Sequence, residues 1–245
     1  MSSSSFSNFL YRKPNTWINF RKSHFSNHSK ITAMSVPEQP IPLIDTEASI
    51  TELMDTLQNL PISLPSLYID LEGVNLSRKG TVSVLQLLNK EFTTPGSTGI
   101  TLKDVLESST TPKAFFDVRR DSDALFAHYG IKLAGVQDIQ LMELATRPAG
   151  RKRNVNGLGR CGLDLFAPER GGSYEVFNTR PLSAALRIYC IQDVQYMPRL
   201  WERYNLKITN VWRGKLEQAT RERVWSSQSE NFEPNSRAMA FGPVR

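Results

Sequence analysis

The sequence predicts an α/β domain in which a mixed β-sheet is flanked by helices. Three observations carry that expectation. Strand-like apolar runs give way to helix-like ones, and strands then recur, between residues 66 and 146. The stretch SLYIDLEGVNLS at 66–77 puts Leu67, Ile69 and Leu71 on one strand face and Tyr68, Asp70 and Glu72 on the other. Neither an internal repeat nor a second apolar core is visible, so a single domain over 40–225 is expected.

The elements follow in order. Residues 1–39 form a leader rich in Ser and Asn. Its first 37 residues carry Arg12, Lys13, Arg21, Lys22 and Lys30 and no acid. That composition suits a mitochondrial transit peptide, with a disordered tail as the alternative. Without the leader, localisation falls to the nucleus or cytoplasm, and Met34 offers a second start. SITELMDTLQNLP has Ser49 or Thr51 as a cap and Leu53, Met54, Leu57 and Leu60 at helical spacing, ended by Pro61 and Pro65. Strand 66–72 comes next, then a turn around Gly80 and VSVLQLL at 82–88 as hairpin partner. Residues 93–99 read as a loop and LKDVLES as a short helix. KAFFDV at 113–118 reads as a strand and DSDALFAHYGI as a helix. GVQDIQLMELAT at 135–146 passes from strand to helix, with Asp138 as its cap. A long helix is expected over 181–204, opened by Pro181 in its first turn, and another over 209–224. Trp201, Trp212 and Trp225 are expected to anchor these helices. Residues 226–245 form an irregular tail.

Composition narrows the function classes. The 245 residues are 40% hydrophobic, and no run of about 18 apolar residues occurs, so no membrane-spanning helix and no membrane partner is expected. Cys161 and Cys190 fit neither a zinc spacing nor a disulfide framework, which favours a reducing compartment. The net charge of +6 belongs to the leader, since the rest of the chain holds 25 basic residues against the same 24 acids. Affinity for a polyanion must therefore come from local patches.

Two carboxylates two residues apart on one strand face repel each other unless positive charge lies between them. A solvated strand face explains Asp70 and Glu72 in the bland reading. A site for hard cations explains them in the sharper one. Further oxygen ligands are available. Asp121 stands where KAFFDV passes into a helix. Asp193 stands in an otherwise apolar helical segment, with Tyr189 one turn earlier on the same face.

The ordered set, Asp-x-Glu on the first strand, Asp121 after a later strand and Tyr-x-x-x-Asp in YCIQDV, resembles the DEDDy 3′–5′ exonucleases. These belong to the ribonuclease H-like superfamily, with ribonuclease D and the Werner exonuclease domain as relatives. DLEGVNLSRKG and FFDVRRDSDALFAHYGI look most like the eukaryotic Egalitarian-type branch. The resemblance spans about residues 60 to 205. It implies a ribonuclease H-like fold and removal of nucleotides from the 3′ end of RNA or DNA, with two divalent cations, Mg²⁺ or Mn²⁺, as cofactors. It also implies roles. Asp70 would bridge both metals, Glu72 would bind one and orient the attacking water, and Asp121 and Asp193 would complete the shells. Tyr189 would hydrogen-bond the water or the phosphate. DVRRDSD also offers Asp117 and Asp123; these are expected to cap or to pair with Arg119 or Arg120. Some members of the Egalitarian-type branch have lost catalysis, so a nucleic-acid-binding or scaffold module is the alternative function.

Arg78 and Lys79, in the turn after the Asp-x-Glu strand, are candidates for contacting the nucleic-acid backbone. So are Arg151, Lys152 and Arg153 in the acid-free stretch 147–160, whose bland reading is a solvated loop. His128 is expected to be structural. No residue identifies RNA or DNA as the substrate.

Overall fold

The alternation at 66–72 becomes the central strand of the fold, and helices pack on both of its faces. The computed structural model describes residues 9–10, 43–44, 46–57, 64–89, 100–148, 152–158 and 173–243. The elements are β1 (Phe9–Leu10), β2 (Leu43–Ile44), α1 (Glu47–Leu57), β3 (Leu67–Glu72), β4 (Val84–Asn89), α2 (Leu102–Glu107), β5 (Lys113–Phe115), α3 (Arg119–Tyr129), β6 (Val136–Asp138), α4 (Ile139–Ala145), α5 (Ala184–Gln195), α6 (Met197–Asn205) and α7 (Asn210–Ser227). The sheet order is β2-β1-β4-β3-β5-β6. β3 and β4 are antiparallel, with Asp70 opposite Gln86 and Glu72 opposite Val84. β5 runs parallel to β3 through Leu67 and Tyr68 only, and β6 runs parallel to β5. The sheet is therefore mixed, as the sequence predicts. The hairpin turn is tight at Gly80, where a Cβ would lie 2.1 Å from the Asn75 carbonyl oxygen.

The two faces of β3 enter different cores. Leu67, Ile69 and Leu71 pack with Leu53, Met54 and Leu57 of α1, Val105 and Leu106 of α2, and Leu125 of α3. Tyr68 packs on the other side with Ile139, Met142, Val194, Met197 and Trp201, from α4, α5 and α6. The Asp70 and Glu72 face is thus not the solvated side of a two-layer sheet. α5 lies against it.

Local chemistry sets the helix ends. Asp138 caps α4 by accepting the N–H groups of Gln140 and Leu141 at 3.0 and 3.3 Å. Gly130 ends α3 in the left-handed region, φ 63°. Thr209 caps α7. The long helix expected over 181–204 is two helices. Pro181 lies before the cap, Ser183, and the chain turns at Tyr196 between α5 and α6. Pro198 has no N–H to donate in a continuous helix but is tolerated in the first turn of a new one. KAFFDV is strand only to Phe115, because Asp117 takes a left-handed φ of 63° and turns the chain into α3. The tail is not wholly irregular, since Arg237–Ala240 form a 3-10 turn and Phe241 bridges to Asn154. Trp201 is buried, donating its indole N–H to Gln137 at 2.6 Å. Trp225 is 77% exposed, which is not the place of an anchor. Among the described residues, no helix is long and apolar enough to cross a membrane.

Candidate active site

β3 presents Asp70 and Glu72, and α5 presents Tyr189 and Asp193 from one helix face opposite them. One carboxylate oxygen from each of Asp70, Glu72 and Asp193 can be chosen so that all three atoms lie within 4.8 Å of one another. The Tyr189 ring packs against Phe177 at 6.1 Å between centroids. Its hydroxyl hydrogen-bonds Glu72 and Asp193.

Asp121 arrives from a third direction. β5 leaves β3 after Tyr68, and beyond that point the Leu71 N–H is accepted by Asp121 Oδ1 at 3.1 Å. That bond ties the first turn of α3 to the strand residue between Asp70 and Glu72. Asp121 is 5% exposed. The structure thus brings Asp70, Glu72, Tyr189 and Asp193 together, while Asp121 is outside the group of three close carboxylates and meets it through the Leu71 N–H and through its charge on Asp70.

Electrostatics define what the cluster needs. Burial, then the charges of Glu72, Asp121 and Asp193, hold the Asp70 carboxyl well above the usual carboxylate range. Burial, and next the charge of Asp193, push Glu72 up to about 8. Burial raises Asp121 to about 7 and Asp193 to about 6. Burial and the same carboxylates raise the Tyr189 hydroxyl, so it stays a hydrogen-bond donor. Four acids held this close are stable only with protons or cations among them. An all-oxygen donor set of this charge fits hard divalent cations such as Mg²⁺ or Mn²⁺.

A mixed sheet with this cluster of acids on its central strand, faced by a helix-borne tyrosine, is the arrangement of a 3′–5′ exonuclease domain. The chain belongs to the 3′–5′ exonuclease family, whose model matches residues 41–209. Solved structures of similar fold include Trypanosoma brucei RNase D in complex with RNA U12. It is 22% identical, with a TM-score of 0.60, and the match covers 81% of this chain and 75% of that one. Escherichia coli RNase D is 16% identical, with a TM-score of 0.52, over 75% of this chain and 49% of that one. At such identities the likeness is one of fold. No curated protein sequence matches the chain.

The candidate nucleic-acid contacts are placed differently from the catalytic set. Arg78 is part of the fold. Its backbone N–H and its Nε donate to Asp123 at 2.9 and 2.6 Å, and its Nη groups donate to the carbonyls of Ser227, Ser229 and Glu230. Asp123 is fully buried and needs that partner. It therefore pairs across the fold rather than with Arg119 or Arg120. Lys152 donates to the Ala145 carbonyl at 2.7 Å and lies 3.8 Å over the Trp212 ring. Lys79 is exposed and near Glu233 at 3.4 Å, and Arg153 is exposed beside the Phe241 ring. Arg151 lies outside the described residues. His128 is bonded to the Ser77 carbonyl at 3.0 Å.

Behind the acids lies a network of which the sequence predicts the Asp117–Arg119 pair and the Asp138 cap but not the link through Arg223. Asp117 forms a two-point ion pair with Arg119, at 2.6 and 2.7 Å. Burial opposes ionisation of Asp117, but Arg119 and Arg223 outweigh it and hold the carboxyl below its usual range. Arg223 donates to Asp138 at 2.7 Å across 85 residues of sequence. The only signal in the sequence was an arginine at a buried spacing in α7, with Ala219, Thr220 and Ser227.

Proposed function

We propose that this exonuclease hydrolyses phosphodiester bonds at the 3′ end of a nucleic acid by a two-metal mechanism. The convergence of Asp70, Glu72 and Asp193 within 4.8 Å carries the reading. Asp70, Glu72, Asp121 and Asp193 would hold two divalent cations, Mg²⁺ or Mn²⁺. Such a pair, when bound, supplies activation of water and relief of charge on the phosphate and leaving oxygen. The chain's own groups do the rest. Glu72 orients the attacking water and accepts its proton. Tyr189 donates its hydroxyl hydrogen, fixing Glu72 and Asp193 or meeting the water or phosphate. Water oxygen bonds to phosphorus, and the bond to the 3′ oxygen of the penultimate nucleotide breaks. That oxygen takes up a proton, and a nucleoside 5′-monophosphate leaves. Lys79 and Arg153, both exposed, are the proposed contacts to the phosphate backbone.

Trypanosoma brucei RNase D was solved with RNA, which makes single-stranded RNA the first substrate to offer. The test uses the full chain with Mn²⁺ and 5′-labelled RNA and DNA oligomers, beside the Asp70→Ala protein. Stepwise shortening with release of nucleoside monophosphates is expected. Retention of the oligomers on a filter without shortening would favour a binding module, and cutting of circles an endonuclease. Mitochondrial import of the acid-free leader is a separate proposal. A reporter fused to residues 1–37 tests it, and diffuse signal counts against it.

A further inference from the structure

α7 begins where the match to the exonuclease family ends, at residue 209, yet it packs against α3, α4 and β6. Its Arg223 is 7% exposed. One guanidinium nitrogen donates to Asp138 Oδ2 at 2.7 Å and reaches Asp117 Oδ1 at 3.4 Å. The Asp138 carboxylate also accepts the N–H groups of Asp117 and Val118, at 3.2 and 3.3 Å. These two residues form the turn that launches α3. Asp117 holds a φ of 63° there, a conformation that a non-glycine residue keeps only where its surroundings fix it. Arg119, the next residue of α3, grips Asp117 and donates to the Met239 carbonyl at 2.8 Å. Asp121 follows within the same helical turn and meets the Leu71 N–H. The direction of that turn decides where the Asp121 carboxylate stands relative to Asp70 and Glu72.

We infer that Arg223 is a positioning residue for Asp121, acting through Asp138 and the turn at Asp117–Val118. This rests on the proposed reading of Asp121 as a cation ligand. The hydrogen bonds of Arg223 go to Asp138 and Asp117 and not to the cluster. The single Arg223 charge bridges the buried Asp138 carboxylate and the half-buried Asp117 one through one nitrogen, and Arg119 supplies the second charge. An α7 helix outside the matched segment is thereby part of what sets the acid geometry.

The test is Mn²⁺ binding by the full chain, read by electron paramagnetic resonance, in a double-mutant cycle of Arg223→Gln and Asp121→Asn. Circular dichroism fixes a temperature at which each variant is folded. Arg223→Gln is expected to weaken Mn²⁺ binding about tenfold in the wild-type background, as partners behind metal ligands do. It is expected to have little effect in the Asp121→Asn background. Arg223→Lys keeps the charge toward Asp138 and should recover part of the affinity. If Arg223→Gln does not fold, Asp117→Asn replaces it in the same cycle, because Asn tolerates the left-handed region. A folded variant with wild-type affinity, or an equal loss in both backgrounds, overturns the inference and leaves the metal reading standing. A wild-type chain that binds no Mn²⁺ overturns both.

Discussion

The Asp121 carboxylate accepts the Leu71 backbone N–H at 3.1 Å, and Leu71 is the residue between Asp70 and Glu72. A carboxylate from α3 is therefore locked to the backbone of the strand that supplies two others. The cluster is set by main-chain geometry, and its acids are held together against their own repulsion.

That repulsion makes the acids costly to the metal-free fold. Asp193→Asn is expected to lower cleavage about 100-fold or more, the scale of losing one preorganised electrostatic group. The same substitution should raise the melting temperature of the EDTA-treated protein, by about 2–4 °C for each kcal/mol of repulsion removed. Parallel rate and melting measurements check both directions.

Stability of the metal-free chain should fall as pH rises. Glu72 titrates near 8 when folded against 4.5 ordinarily, and Asp121 near 7 and Asp193 near 6 against 3.8. Above the ordinary values and below these, the native state holds protons that the unfolded chain has lost. A group with a raised folded pKa contributes stability that is complete below its unfolded pKa and lost as pH rises through the folded one. Urea midpoints in EDTA are therefore expected to decline from pH 4 to pH 8 on account of these groups. Mn²⁺ should flatten the decline, since cations replace the protons.

Tyr189→Phe separates the hydroxyl from the ring. The ring packs against Phe177, and the hydroxyl bonds Glu72 and Asp193. Thermal stability should change little. The cleavage rate should drop about 10–100-fold, the usual loss when a group behind metal ligands is removed.

Arg78 and Lys79 are neighbours in sequence with different fates. Arg78→Ala leaves the fully buried Asp123 carboxylate without its cation and should cost about 3–5 kcal/mol of unfolding free energy in urea titration. Lys79→Ala removes an exposed cation near Glu233 and should stay within about 0.5 kcal/mol.

These two residues show where the sequence is legible. Asp70 and Glu72, and Tyr189 and Asp193, are separated by two and four positions, the repeats of a strand and a helix, so each pair was readable locally. Asp121 was readable through its place after a strand. The fate of Arg78 was not, because its partners lie 45 residues away in α3 and about 150 away in the tail. The pairing of Arg223 with Asp138 is hidden for the same reason. The break between α5 and α6 was marked by Pro198, but the apolar spacing runs through it and reads as one helix. Trp225 shows the limit of composition, since a tryptophan's size does not decide which side of α7 it occupies.

Diffraction from crystals grown with Mn²⁺, recorded for the anomalous signal of manganese, tests the cation clamp most directly. Two peaks about 3.5–4 Å apart are expected, bounded by the carboxylates of Asp70, Glu72, Asp121 and Asp193. Manganese bound elsewhere, or a cluster that stays free of it at saturating concentration, would contradict the mechanism.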